Sequence, residues 1–236
     1  MTVLSHSLKY ARTIVYTALS MFPIRALIFS LVMSEAVAAA AEVNPMEPTS
    51  SNAGDVRLSS HLLADNGVFP NNASCPLLVY PQALALSGSD PAALFETRFT
   101  KNHWPAAWRN GVYAFHHYHS TAHEVLGVFS GAARVQFGGE NGVVLEVRAG
   151  DVVVIPAGVS HKNLGASRDF GVVGAYPKGQ NWDMQYGKPG ERPAADERIA
   201  QVAMPTSDPV FGTDVSMKAL WQRPNWRRFG GKRCHE

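Results

Sequence analysis

Between Gly111 and Gly165 the chain carries His116, His117, His119, His123, Glu124 and His161. Four of its nine histidines fall within eight consecutive positions. Imidazole is the commonest metal ligand and titrates near neutral pH, so such density calls for a chemical reason. On a strand, side chains two apart share a face, so His117 and His119 aim together while His116 and Tyr118 aim away. Ser120 to His123 can turn the chain and bring the Glu124 carboxylate back beside the imidazole pair. His161 follows a tight corner, Pro156-Ala157-Gly158, and a second hairpin can carry it to the same point. Three imidazoles and one carboxylate form a mixed nitrogen and oxygen site, open to iron, manganese, nickel, copper or zinc. Four protein ligands on an octahedral ion leave two positions free, which marks catalytic rather than structural metal sites. His116 and His123 read instead as surface histidines or as partners that orient a ligating imidazole.

A helix would also place His119 and His123 on one face. The helical zinc-protease pattern requires Glu directly after its first histidine, and Ser120 stands there. Tyr113, Phe115 and Tyr118 favour a strand as well.

The surrounding elements must be able to position these groups. Val112–His119, Glu124–Phe129, Ala133–Phe137, Val143–Val147, Val152–Ile155 and Phe170–Tyr176 are six short runs rich in β-branched and aromatic residues. Ser130-Gly131, Gly138-Gly139, Asn141-Gly142 and Gly150-Asp151 punctuate them. Connections this short cannot hold crossover helices, so the pattern predicts an antiparallel sandwich or barrel and excludes a doubly wound parallel sheet. Leu77–Tyr80 is a further strand candidate. Asp90 can cap a helix that starts at Pro91, with Ala92, Phe95 and Phe99 as its apolar stripe. A second helix is expected over Ala194–Ala203.

The 236 residues fit one domain with extensions. Hydrophobic residues make up 46% and charged residues only 17%, which excludes a charge-rich coiled coil or a disordered chain. A net charge of +2 gives no concentrated basic face, so no nucleic-acid partner is expected. Cys75 and Cys234 lie far apart without a CxxC, which excludes a disulfide scaffold and a cysteine zinc site. Residues 1–45 run from basic through apolar to small residues, as a secretory signal or an upstream start would. Pro23 and Arg25 argue against a stable membrane span there. Residues 46–75 read as a linker or arm, and residues 223–236 as a basic tail. A cytoplasmic location is expected, or a periplasmic or secreted one if the N-terminal segment is a true signal.

The motif residues resemble the cupin superfamily. Gly111, His117, His119, Glu124 and Gly131 match its first motif, and Gly150, Pro156, Gly158 and His161 its second. Gly165 stands where the second motif usually ends in asparagine, with Asn163 two positions earlier. Trp104-Pro105, Trp108-Arg109-Asn110-Gly111, His116 to Glu124, Gly174-Ala175-Tyr176-Pro177, Gly179-Gln180 and Trp182-Asp183 are similar to the YjlB-like cupins, over residues 76 to 222 or so. The resemblance implies an all-β jelly-roll barrel with a short helix before it and a small helical C-terminal extension. It also implies one divalent metal on His117, His119, Glu124 and His161. Iron or manganese is favoured, with nickel, zinc and copper admitted by the same donors. A dioxygenase or isomerase acting on a small molecule is the expected function, and a metal-dependent sensor or binding module the alternative. Tyr113, Phe115, Arg134 and Gln136 are expected near the pocket. A homodimer is expected by analogy with other cupins.

Overall fold

The computed structural model describes residues 58–213 and 216–221. Nine strands and three helices follow in order: β1 Ser59–Leu63, β2 Asn72–Tyr80, α1 Pro91–Lys101, β3 Ala106–Asn110, β4 Glu124–Ser130, β5 Ala132–Phe137, β6 Val143–Arg148, β7 Val152–Ile155, β8 His161–Ala166, β9 Gly171–Ala175, α2 Ala194–Gln201 and α3 Ser216–Trp221. A six-stranded sheet runs β1-β2-β7-β4-β9-β3, and a three-stranded sheet runs β6-β5-β8. Every pairing is antiparallel. The result is an all-β jelly roll whose two sheets face each other without closing into one hydrogen-bonded ring.

The central strands β7, β4 and β9 of the large sheet are buried on both faces, and the two-residue period decides which residue goes where. Leu77, Val79, Leu126, Val128, Val153, Ile155 and Val172 turn toward the small sheet and pack on Val135, Phe137 and Val147. Leu78, Tyr80, Val125, Val152, Val154 and Val173 turn the other way, onto Phe95 and Phe99 of α1 and Met217 and Trp221 of α3. Glu124 opens β4 on the same face as Leu126 and Val128, so its carboxylate is directed between the sheets. Gly127 lies under α1, where a Cβ would come within 2.3 Å of the Phe95 ring. Asp90 caps α1 through the Ala93 amide, and Pro91 begins it, as the sequence predicts.

Two expectations are corrected. Val112–His119 is not a strand. The chain leaves β3 at Asn110 and meets β8 at two separated points, the Asn163 amide donating to the Tyr113 carbonyl at 2.8 Å and the bridge of His117 with His161. So brief a pairing builds no ladder. Within the expected arm 46–75, residues 59–63 form β1 and residues 72–75 begin β2. An edge strand with one side in solvent can be polar, and β1 accordingly carries no apolar run. The corner after Gly158 leads into β8 (HKNLGA), whose composition gives no strand signal; its pairing with β5 sets its conformation. Residues 1–45 and the basic tail 223–236 lie outside the described residues, as does Cys234.

Candidate metal centre

His117 reaches its place through backbone bonds. Its amide donates to the His161 carbonyl and its carbonyl accepts from the His161 amide, at 3.2 and 2.9 Å. The Gly158 amide donates to the His119 carbonyl at 2.8 Å. Gly158 has φ +91°, and a Cβ there would meet the Asn71 carbonyl oxygen at 2.4 Å. Glycine is therefore required at the corner that presents His161.

One nitrogen from each of His117, His119 and His161 lies within 4.8 Å of the others, and all three residues are buried. Glu124 Oε2 stands 3.3 Å from His161 Nε2 and 3.4 Å from His119 Nε2. The other ring nitrogens face backbone carbonyls. Nδ1 of His117 meets Phe115 O at 3.3 Å, Nδ1 of His161 meets Val159 O at 3.4 Å, and Nδ1 of His119 meets Asp183 O. A carbonyl only accepts, so each Nδ1 carries a hydrogen, and in the neutral ring the lone pair sits on Nε2. The His119 corner is held further by the Asp183 carboxylate. It accepts from the Ser120 amide at 2.6 Å, the Ser120 hydroxyl at 2.5 Å and the Thr121 amide at 3.2 Å.

Glu124 is fully buried, with Oε1 accepting from the Tyr176 hydroxyl at 3.0 Å. Its Oε2 has no hydrogen-bond partner. Burial pushes this carboxyl up, but His119 and His161 outweigh burial and hold it well below the usual carboxylate range. For His119, burial pushes downward, yet Glu124 and the Asp183 carbonyl raise it above its ordinary value. Burial, reinforced by His161, pushes His117 down to about 3. A buried ionised oxygen is costly unless a cation answers it, either a protonated imidazole beside it or a metal ion. The residues present thus fit a divalent ion: three imidazole nitrogens lie within 4.8 Å of one another, and the Glu124 carboxylate stands beside two of them.

The site lies in a cavity of about 310 Å³, lined also by Trp108, Val112, Tyr113, Leu126, Tyr176 and Trp182. Tyr176 and Trp182 stack at 5.9 Å, and His119 sets its edge to both. Trp182 and Tyr113 are half-exposed and form the mouth.

With this geometry in hand, kinship is informative. Residues 109–168 match the family described as the Cupin domain. Protein YjlB of Bacillus subtilis (strain 168), described as uncharacterized, is 43% identical over 162 residues, covering 69% of this chain and 95% of YjlB. The chain belongs to the YjlB-like cupins. Among solved structures, a DUF861 family protein from Thermotoga maritima is 25% identical, over 38% of this chain and 94% of that one, with TM-score 0.25. A double-stranded β-helix protein from Klebsiella pneumoniae is 18% identical, over 62% and 100%, with TM-score 0.27. The coconut allergen cocosin is 19% identical over 33% of this chain and 22% of its own length, with TM-score 0.29.

This YjlB-like cupin departs from sequence expectation at several side chains. His123 is not a surface residue: it is buried, packs on Trp221 at 4.8 Å, and accepts from the Ala157 amide through Nδ1. Burial pushes it down to about 3. His116 lies under Phe69 at 5.2 Å, with Nε2 3.4 Å from Glu140. Arg134 is exposed on the outer side of β5, and Gln136 donates to the Glu140 carbonyl, so neither lines the cavity. Phe115 stacks on Tyr113 at 4.9 Å, outside the lining. Trp108, Tyr176, Trp182 and Asp183 were legible only as family resemblance. No spacing rule reveals a backbone carbonyl that orients an imidazole 64 residues away. No helix among the described residues is long and apolar enough to cross a membrane.

Proposed function

We propose that this cupin is a metal-dependent enzyme acting on a small molecule at a mononuclear centre held by His117, His119, His161 and Glu124. The bare Glu124 Oε2 between two imidazole nitrogens is the observation that carries this reading. Iron(II) or manganese(II) suits the nitrogen and oxygen donors and supplies Lewis acidity or dioxygen activation when bound. The cavity volume suits a small metabolite rather than a polymer segment. Its described lining has no lysine or arginine. The substrate's body, away from the metal, is therefore uncharged and rests against Trp108, Tyr176 and Trp182. These rings also exclude water from the reacting end. Dioxygenation and isomerisation are the two reaction classes this arrangement supports.

Protein loaded anaerobically with iron(II) or manganese(II) should take up about one ion per chain. Challenged with a panel of small metabolites, it should consume oxygen stoichiometrically or rearrange one compound without oxygen. A compound that raises the melting temperature by several degrees but is returned unchanged would make the protein a binding module instead. Failure to hold any transition metal would overturn the reading.

A further inference from the structure

We infer that Tyr176 is a positioning residue that confines Glu124 to ligation through one oxygen; this rests on the metal-centre reading above. The hydrogen-bond directions are forced. An indole N–H only donates and a carboxylate only accepts. The Tyr176 hydroxyl therefore accepts from Trp108 Nε1 at 3.2 Å and donates to Glu124 Oε1 at 3.0 Å. Oε1 is engaged from the β9 side, while Oε2 is left bare toward His119 and His161. Tyr176 is itself buried, so water does not compete well for its hydroxyl.

The fold supports this rung. Trp108 on β3 lies across Gly174 on β9, where a Cβ would fall 2.2 Å from the indole. Only a residue without Cβ lets the ring lie close enough to reach the hydroxyl of Tyr176, two positions on. His119 meets the Tyr176 ring edge-on at 5.6 Å, which limits the ring from the other side.

The consequence concerns open positions. A carboxylate with both oxygens free can ligate through one or both. One-oxygen ligation gives four protein donors and leaves two positions on an octahedral ion; two-oxygen ligation leaves one. A site that must hold a substrate beside a second small ligand needs two. Tyr176 and Trp108 thereby set how many partners the centre admits, without touching the ion.

The test uses full-length protein loaded with manganese(II), because water-proton relaxation counts exchangeable waters on that ion. Tyr176→Phe keeps the ring and removes the hydroxyl. It should still bind about one ion per chain, with relaxivity per bound ion lowered by about half, as one of two positions is filled. Trp108→Phe removes only the donor to Tyr176 and should shift relaxivity the same way by less. It also decides the matter should Tyr176→Phe not fold. A purely structural role for the pair would lower the melting temperature and leave relaxivity per ion unchanged, overturning the inference. Wild-type protein that binds no manganese(II) or cobalt(II) would remove the metal centre itself, and this inference with it. Metal binding with wild-type relaxivity in both variants would remove only the inference.

Discussion

His119 and His123 lie four residues apart, are both buried, and have opposite fates. His119 turns between the two sheets, where the Asp183 carbonyl takes its Nδ1 hydrogen and leaves Nε2 aimed at Glu124. His123 turns to the helix-covered face, where the Ala157 amide uses its Nδ1 lone pair. One imidazole is thus a candidate ligand and the other a core side chain that burial keeps neutral. Residue type and burial are the same in both. The difference is the backbone group each ring meets: a carbonyl fixes one tautomer, an amide the other. The nearby carboxylate then separates their proton affinities, raising His119 while burial alone drives His123 down to about 3.

Substitutions can break this contrast, and the largest effect is expected at the ligands. His161→Ala or Glu124→Ala should reduce bound metal from about one ion per chain to near zero by elemental analysis. His123→Ala should leave metal content intact while lowering stability by about 2–4 kcal/mol in denaturant melts. It creates a void beside Trp221 and strands the Ala157 amide. Metal loss in His123→Ala equal to that of the ligand variants would erase the distinction between the two faces.

Asp183→Ala comes next, because the carboxylate holds the corner that carries His119. We expect about 10–100-fold weaker metal binding in competition titrations, since the partners that orient a ligand are worth that much. The paired glycines sharpen the comparison further. Gly127→Ala drives a methyl into Phe95 on the helix face and should cost about 1–3 kcal/mol with metal affinity unchanged. Gly174→Ala drives it into Trp108 on the cavity face. It should cost about as much and also alter the metal's spectroscopic signature. Equal spectra in the two variants would argue against a link from Trp108 to the centre.

The smallest effect is a test of inertness. Burial pushes the Cys75 thiol up to about 12. The thiolate is the reactive form, so at pH 9, where an exposed thiol is largely ionised, Cys75 should stay unlabelled by iodoacetamide. Peptide mapping distinguishes it from Cys234. Rapid labelling of Cys75 in folded protein would mean that the core under α3 opens readily.

The candidate ligands were legible because their chemistry is local. His-x-His needs only alternation to aim two rings together, and that holds at His117 and His119 even though the segment is no strand. The capped start of α1 was legible for the same reason: Asp90 and Pro91 act within one helical turn. Strands β4, β5, β6, β7 and β9 announced themselves through apolar and β-branched runs. Strands β1, β3 and β8 did not, because they owe their extended backbone to a neighbour rather than to their own residues. Arg134 and Gln136 were misplaced for a related reason. Alternation tells which residues share a face but not which face turns inward, and that depends on the sheet opposite.

The sequence by itself determined which side chains can ligate, that antiparallel strands must carry them, and the family to which the chain belongs. Tertiary structure decided which histidines converge, which ring nitrogen each one offers, and which oxygen of Glu124 is free. Those outcomes depend on backbone carbonyls, amides and a tyrosine hydroxyl brought from tens of residues away. Hydrogen bonds are set by distance and angle in space, and spacing along the chain records neither.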